Sequence, residues 1–309
     1  MQLTALALVK LDGDIIEEFV RHTLRFADRL IVVDNASLDS TREILAALVA
    51  EDLPVVLWDE EIIAERPSIT TELARKAFAE FSMDYLLILD ADEFIKAPSR
   101  AALESALAEL PPGAHALVPW VTYVPTLHDD RNEPRVLARL KHRRVTESRP
   151  YSKLFLSNAF AECPELAVSF GNHFIEDSQG VSRTVELAGV QLAHFPVRSV
   201  GQIQCKALLG WSQYLAMGFD REGEIAYQWQ RLYEKLRRNP NWSETDFLQA
   251  AWHYLDDDDG EPDLIADAIP AVACKYPPAS PELLGIAVAY TRQLAKAYAR
   301  LAAERNAAT

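Results

Sequence analysis

The sequence predicts an α/β protein: a mostly parallel sheet flanked by helices, followed by a helical C-terminal extension. Three observations predict it. The first hundred residues alternate short apolar runs with amphipathic stretches in βαβα order. The run Tyr85-Leu86-Leu87-Ile88-Leu89 is apolar throughout, as a parallel strand covered on both faces must be. From Gly201 onward the chain reads as mainly helical.

In order, Leu3–Val9 is a predicted strand, Ile15–Ala27 an amphipathic helix, Leu30–Val33 a strand and Thr41–Ala50 a helix. Ser40-Thr41-Arg42-Glu43 matches the S-x-x-E capping box and places a helix start just after the strand end Asp34-Asn35-Ala36. Pro54–Trp58, Ile69–Phe81 and Tyr85–Leu89 continue as strand, helix, strand, and Ser99–Leu110 as a helix. Beyond Pro111-Pro112-Gly113 the candidates are shorter strands, Ala116–Tyr123, Arg135–Leu140, Lys153–Leu156 and Glu186–His194, separated by polar loops. The expected C-terminal helices are Ile203–Met217, Glu224–Leu236, Thr245–Leu255, Leu264–Ala273 and Glu282–Ala303, the last begun by Ser280-Pro281.

Composition narrows the function. At 309 residues the chain can bury a substantial core, and 49% hydrophobic with 25% charged residues is ordinary for a soluble enzyme. A net charge of −15 argues against nucleic acid or an anionic lipid surface as the main partner. Cys163, Cys205 and Cys274 are odd in number and widely spaced, suggesting neither disulfides nor a zinc site. No run is long enough to span a bilayer, and Leu3–Val9 lacks the flanks of a signal peptide, so a cytoplasmic location is expected. Asp256–Asp259 with Gly260 fails the calcium-loop pattern, because Leu255 and Ala266 would occupy its first and twelfth positions. An inter-helix loop is expected there.

The densest chemistry is Leu89-Asp90-Ala91-Asp92-Glu93-Phe94. Ligands of open α/β sheets gather at the carboxyl ends of the strands, and residues two apart face the same side of an extended chain. Asp90 and Asp92 can therefore face one hard cation, Mn²⁺ or Mg²⁺, which takes carboxylates together with substrate phosphates. The prediction is a metal-diphosphate site.

With Leu8-Val9-Lys10, Val33-Asp34-Asn35-Ala36-Ser37-Leu38-Asp39-Ser40-Thr41 and the Asp-Ala-Asp-Glu-Phe segment in order, the chain resembles the family 2 glycosyltransferases, in particular their bacterial branch with that signature. The resemblance continues at Lys153, Gly171-Asn172-His173, His194-Phe195-Pro196-Val197-Arg198-Ser199 and Lys206, across roughly the first two thirds of the chain. It implies the GT-A fold, a Rossmann-like sheet. Residues 1–200 would form the transferase domain, with a nucleotide-binding half (1–110) and an acceptor half (111–200), and residues 201–309 a helical region that could also pair two copies of the chain.

The implied reaction moves a sugar from a nucleoside diphosphate donor, a uridine diphosphate sugar by default, to a hydroxyl of a glycan, lipid-linked or protein acceptor, with inversion expected. The resemblance assigns Asp34, beside Asn35, to the nucleoside, and Asp90 and Asp92 to the diphosphate and its metal. Many relatives carry Asn-Glu after the first strand where this chain has Leu11-Asp12-Gly13-Asp14, leaving Asp12 or Asp14 to replace that acid. Lys153, Arg198 and Lys206 are the candidate cations for the leaving phosphate, and His194, ahead of His173, is a candidate metal or phosphate ligand. An inverting enzyme needs a carboxylate base. Glu176 and Asp177 are the first candidates, Asp129 and Asp130 the alternatives. Trp120, Tyr123, Trp211 and Tyr214 are assigned to the core by default.

Three rivals share features of this sequence. A haloacid-dehalogenase-like phosphatase also carries D-x-D after a strand, but normally on the first strand and not followed by Phe94. A nucleotidyltransferase needs a glycine-rich basic loop where Val9-Lys10-Leu11-Asp12-Gly13 stands. A non-catalytic nucleotide-sugar-binding protein would not require intact Asp90 and Asp92.

Overall fold

The computed structural model describes residues 1–58, 68–147, 149–216, 227–255 and 260–307. The N-terminal half runs β1 (Leu3–Val9), α1 (Ile16–Thr23), β2 (Arg29–Asp34), α2 (Thr41–Val49), β3 (Val55–Trp58), α3 (Ile69–Glu80), β4 (Tyr85–Leu89), β5 (Glu93–Lys96) and α4 (Arg100–Ala108). It continues through β6 (His115–Thr122), α5 (Val136–Arg139), β7 (His142–Arg144), β8 (Ser152–Ser157), α6 (Ala159–Glu162), β9 (Ala167–Val168), β10 (Ile175–Glu176), β11 (Thr184–Glu186) and β12 (Gln191–His194). The C-terminal part comprises α7 (Val200–Ala216), α8 (Tyr227–Arg238), α9 (Glu244–Trp252), β13 (Leu264–Ala266) and α10 (Leu283–Ala307). Asp256–Asp259 and the predicted helix ends at Met217 and residues 224–226 lie outside the described residues.

A nine-stranded sheet organises the fold in the order β3-β2-β1-β4-β8-β6-β12-β5, with β11 beside β6. The β3-β2-β1-β4 pairings are parallel, as are those of β6 with β11 and β12, while β8 and β5 run antiparallel to their neighbours. Side-chain alternation sorts the core by face. Leu3, Ala5, Ala7, Val9, Leu30, Val32, Leu87 and Leu89 pack with residues of α1, α2 and α4. Leu6, Ile31, Val33, Leu86 and Ile88 pack instead with α3 and Phe160 of α6. Helices on both faces explain why these strands read as continuous apolar runs. A separate cluster joins α7, α8 and α9 to Val124 and Val197. Helix α10 rests on α7, with Ile286 among Leu11, Cys205 and Leu209. Among the described residues no helix is long and apolar enough to cross a membrane.

Four local expectations are corrected. Arg135–Leu140 holds the short helix α5 rather than a strand, because buried Glu18 on α1 accepts the backbone N–H groups of Val136 (2.9 Å) and Leu137 (3.2 Å) and so caps a helical turn. Leu264–Ala273 begins with β13, paired antiparallel with β7, and Pro270 would interrupt a helix in any case. Glu186–His194 divides into β11 and β12 around Gly189, whose φ of +72° breaks the extended run. The Ser40 side chain makes no cap; Asp39 instead accepts from the N–H and Oγ1 of Thr41.

The Glu18 contact yields a pH prediction. Burial raises its carboxyl to about 7, against the opposing bonds from Val136 and Leu137. Because the folded pKa lies above the unfolded one, its contribution is complete below about pH 4.5 and is lost as pH rises to 7, by up to about 3 kcal/mol. Urea unfolding from pH 4.5 to 8 should show this decline, and Glu18→Gln should flatten it. An unchanged slope in the variant would assign the decline to other groups.

Candidate active site

The strand register brings three loops to one edge of the sheet. Val9 pairs with Asp34 and Ala7 with Leu89, so the segments after β1, β2 and β4 open side by side. The first two are tied together: Leu11 N–H donates to Ser37 Oγ, Asp12 N–H to Thr41 Oγ1, and Gly13 N–H to Asp39 Oδ2. Gly13 lies close in at this crossing: a Cβ there would stand 2.6 Å from Ser40 Oγ and 3.0 Å from Asp39 Oδ2, so those side chains would have to shift. Leu11, Ala36 and Asn172 hold φ values of +56°, +51° and +65°, left-handed conformations that cost non-glycine residues on the order of 1 kcal/mol or more each. All three belong to loops around this edge.

The carboxylates there are met by cations from distant parts of the chain. Lys153, on β8, donates to Asp90 Oδ2 (2.6 Å) and to the Gly171 carbonyl (3.1 Å), and lies 3.5 Å from Glu93 Oε1. Arg198 is 1% exposed and donates to both oxygens of Asp14 (2.9 and 2.8 Å) and to Asp12 Oδ1 (3.0 Å), with Asp92 Oδ2 at 3.4 Å. Lys206, on α7, donates to Asp92 Oδ2 at 2.9 Å and lies 3.7 Å from Asp12 Oδ1.

Burial and charge compete at each group. Burial alone would raise Asp92, but Lys206 foremost holds its carboxyl well below the usual range. Burial wins at Asp12 and at Glu93, whose carboxyls are both raised, Glu93 strongly. Asp90 and Glu93 overcome burial at Lys153 and lift its ammonium to about 12. His194 falls to about 4 through burial, so its imidazole is neutral near pH 7.

A cavity of about 320 Å³ opens above these groups. Asp12, Asp90, Asp92, Lys10, Lys206, His173 and His194 line it, together with Trp120 and Tyr151. The His194 ring stacks on Trp120 at 4.1 Å, with Nε2 3.9 Å from Asp92 Oδ1. His173 hydrogen-bonds the Ser152 carbonyl through Nδ1 and stands edge-on to Trp120. Trp120 and Tyr214, both expected in the core, therefore line the cavity.

The structure gathers Asp12, Asp90, Asp92, His194 and Lys206, but places other candidates differently. Lys153 and Arg198 lie behind the carboxylates, each 1% exposed, where they orient acids and do not face the cavity. Asp34 and Asn35 are buried beside the edge, outside the cavity lining; Asp34 Oδ1 accepts from Ser37 N–H, and Asp34 Oδ2 lies 3.7 Å from Arg42. Glu176 and Asp177 do not line the cavity either; Asp177 is turned into its own loop, accepting the N–H groups of Gln179, Gly180 and Ser182. Asp129 is held by Thr126 and Asp130 by Asn132 N–H. The C-terminal contribution of Gln213, Gln228, Trp229 and Tyr254 has no signal in the sequence, since nothing in their spacing distinguishes them from ordinary helix residues.

Asp90 and Asp92 suit a divalent cation by charge. Five acidic groups (Asp12, Asp14, Asp90, Asp92, Glu93) face three permanent cations paired with them (Lys153, Arg198, Lys206) and a fourth, Lys10, in the cavity lining. The excess must be met by protons or by metal. Among the described residues no three His, Cys, Asp or Glu side chains converge as a complete cage. A cation here would therefore rest on the two aspartates and on ligand oxygens, the usual manner of Mg²⁺.

No protein-family model matches the chain, and no curated protein sequence is significantly similar to it. Solved structures are similar in backbone. TarS residues 1–349 from S. aureus shares 14% identity over 81% of each chain, with a TM-score of 0.37. The mannosyltransferase PcManGT from Pyrobaculum calidifontis, in complex with GDP-Man and Mn²⁺, shares 16% identity over 78% of this chain and 76% of its own, with a TM-score of 0.38. Glucosyl-3-phosphoglycerate synthase from Mycobacterium tuberculosis, in complex with Mn²⁺, UDP and glucosyl-3-phosphoglycerate, shares 14% identity over 70% of this chain and 79% of its own, with a TM-score of 0.33.

Proposed function

We propose that this protein is a metal-dependent glycosyltransferase that uses a nucleoside diphosphate sugar, with residues 1–200 as its GT-A domain. One observation carries the reading: Asp90 and Asp92 follow a buried strand onto the floor of a cavity where three carboxylates, Asp12, Asp90 and Asp92, meet two ammonium groups, Lys10 and Lys206. That floor has the charge to receive a divalent cation together with a diphosphate.

In this reading Asp90 and Asp92 hold Mn²⁺ or Mg²⁺ against the diphosphate. The bound ion would supply Lewis-acid stabilisation of the charge that grows on the leaving β-phosphate. Lys206, which lines the cavity and is 21% exposed at its side chain, adds a positive charge to the same oxygens. Lys153 and Arg198 fix the carboxylates in place from behind, so that the negative groups need not reorganise as charge moves. His194 is held neutral and stacked, with Nε2 towards Asp92, a position suited to a ligand or a phosphate donor.

A thermal-shift screen with UDP, GDP, CDP and TDP, with and without Mn²⁺, tests the reading. One nucleotide should raise the melting temperature only with Mn²⁺, because a ligand of the native state adds to its stability. No shift with any nucleotide would favour the phosphatase or another phosphate-handling chemistry.

A further inference from the structure

The cavity has two chemistries. Its floor carries charged side chains, Lys10, Asp12, Asp90, Asp92 and Lys206. Its other wall, contributed by α7 beyond Lys206, by α8 and by the segment after α9, presents Gln213, Tyr214, Gln228, Trp229 and Tyr254, and beyond Lys206 no charged side chain among the described residues. On this wall Gln213 Nε2 is buried without a hydrogen-bond partner, and the same holds for Trp120 Nε1 and His194 Nδ1 elsewhere in the lining. Buried polar atoms left unmet are costly and rare in native proteins, so three around one cavity point to an occupant that meets them. The wall is also shaped. Gly210 lets the Trp229 indole lie against α7, since a Cβ there would stand 3.1 Å from Trp229 Cδ2, and Tyr254 meets the indole edge-on at 5.7 Å.

We infer that the C-terminal helices hold the sugar of the donor, and that they select a neutral, hydroxyl-bearing ring over one with a charged substituent. The inference rests on the transferase reading, because the sugar is bonded to the β-phosphate and must lie next to the group bound at the floor. An amide offers a donor and an acceptor to vicinal hydroxyls, and an indole offers an apolar face to ring C–H groups. A uronic acid would bring its carboxylate to a wall whose described residues beyond Lys206 carry no cation, in a cavity that already carries Asp90 and Asp92.

Calorimetry on the full chain with Mn²⁺ tests this. The four nucleoside diphosphates are titrated first, then the one that binds is compared with its neutral and uronic-acid sugar conjugates, such as UDP-glucose and UDP-glucuronate. The neutral conjugate should bind more tightly than the bare diphosphate, and the uronate no more tightly. Gln213→Ala should remove about fivefold to tenfold of the neutral-sugar gain, the worth of one hydrogen bond, and leave bare diphosphate affinity unchanged. Gln213→Met, which keeps the volume, should do the same and guards against a folding defect. A uronate bound as tightly as the neutral sugar, or a variant that weakens diphosphate and conjugate equally, overturns the inference. Diphosphate binding with no gain from any sugar also overturns it while sparing the transferase reading; failure of every nucleotide to bind overturns both.

Discussion

Arg198→Met is expected to cost about 3–5 kcal/mol of folding stability, the usual penalty for breaking a buried ion cluster from one side. Arg198 is the common partner of Asp12, Asp14 and Asp92, and all four side chains are buried, none more than 8% exposed. Methionine approximates the stem but leaves three acids without their guanidinium. The loss should depend on pH in a definite direction. In the native protein Asp92 has a depressed pKa, so its contribution is present above the unfolded value of 3.8 and fades as pH falls below it. In the variant Lys206 still meets Asp92 and Asp12, but the buried cluster keeps negative charge that the guanidinium no longer offsets, and stability would fall as pH rises. Urea melts at pH 5 and pH 8 should therefore show the larger deficit at pH 8. Adding Asp14→Asn should recover part of it, since that removes one orphaned charge. A deficit below about 1 kcal/mol at both pH values would mean that water reaches the cluster and solvates the acids.

Asp90→Asn is expected to separate chemistry from folding. The Asp90 side chain is 44% exposed, so its loss should be tolerated by the fold despite the bond to Lys153. If Asp90 and Asp92 share the cation, the variant should lose the Mn²⁺-dependent thermal shift. Turnover of the nucleotide sugar should fall by about 10²–10³-fold, the range for removing one group that stabilises transition-state charge. The check is a pair of measurements on one sample: melting temperature without ligand, and sugar release or transfer with Mn²⁺. Unchanged turnover in a folded variant would remove Asp90 from the metal site and leave Asp92 with His194 as the remaining donors.

Much of the sheet was legible in the sequence because both faces of its strands are covered. Leu3–Val9 and Tyr85–Leu89 need no partner information to be recognised; continuous burial writes itself as continuous apolarity. The misread segments are those where a long-range contact decides the local conformation. Arg135–Leu140 is helical because Glu18, more than a hundred residues earlier, accepts its N–H groups. Leu264–Ala266 is a strand because β7 offers an edge to it.

The sequence by itself determined the parallel sheet order of elements, the strand that ends in Asp90 and Asp92, and the set of charged residues available to that edge. These follow from local periodicity and from the rule that loops at strand ends share one edge. Only the tertiary structure decided which partner each charged group meets. Lys153 and Arg198 were indistinguishable in sequence from ligand-binding cations, and burial turned them into supports for the acids. Asp177 looked available and is consumed by its own loop. Trp229 and Gln213 looked like helix filler and line the cavity. The physical reason is that a charge or hydrogen bond is defined by its nearest partner in space, and the partners of Lys153 and Arg198, 63 and 184 residues away, leave no periodic trace in the chain.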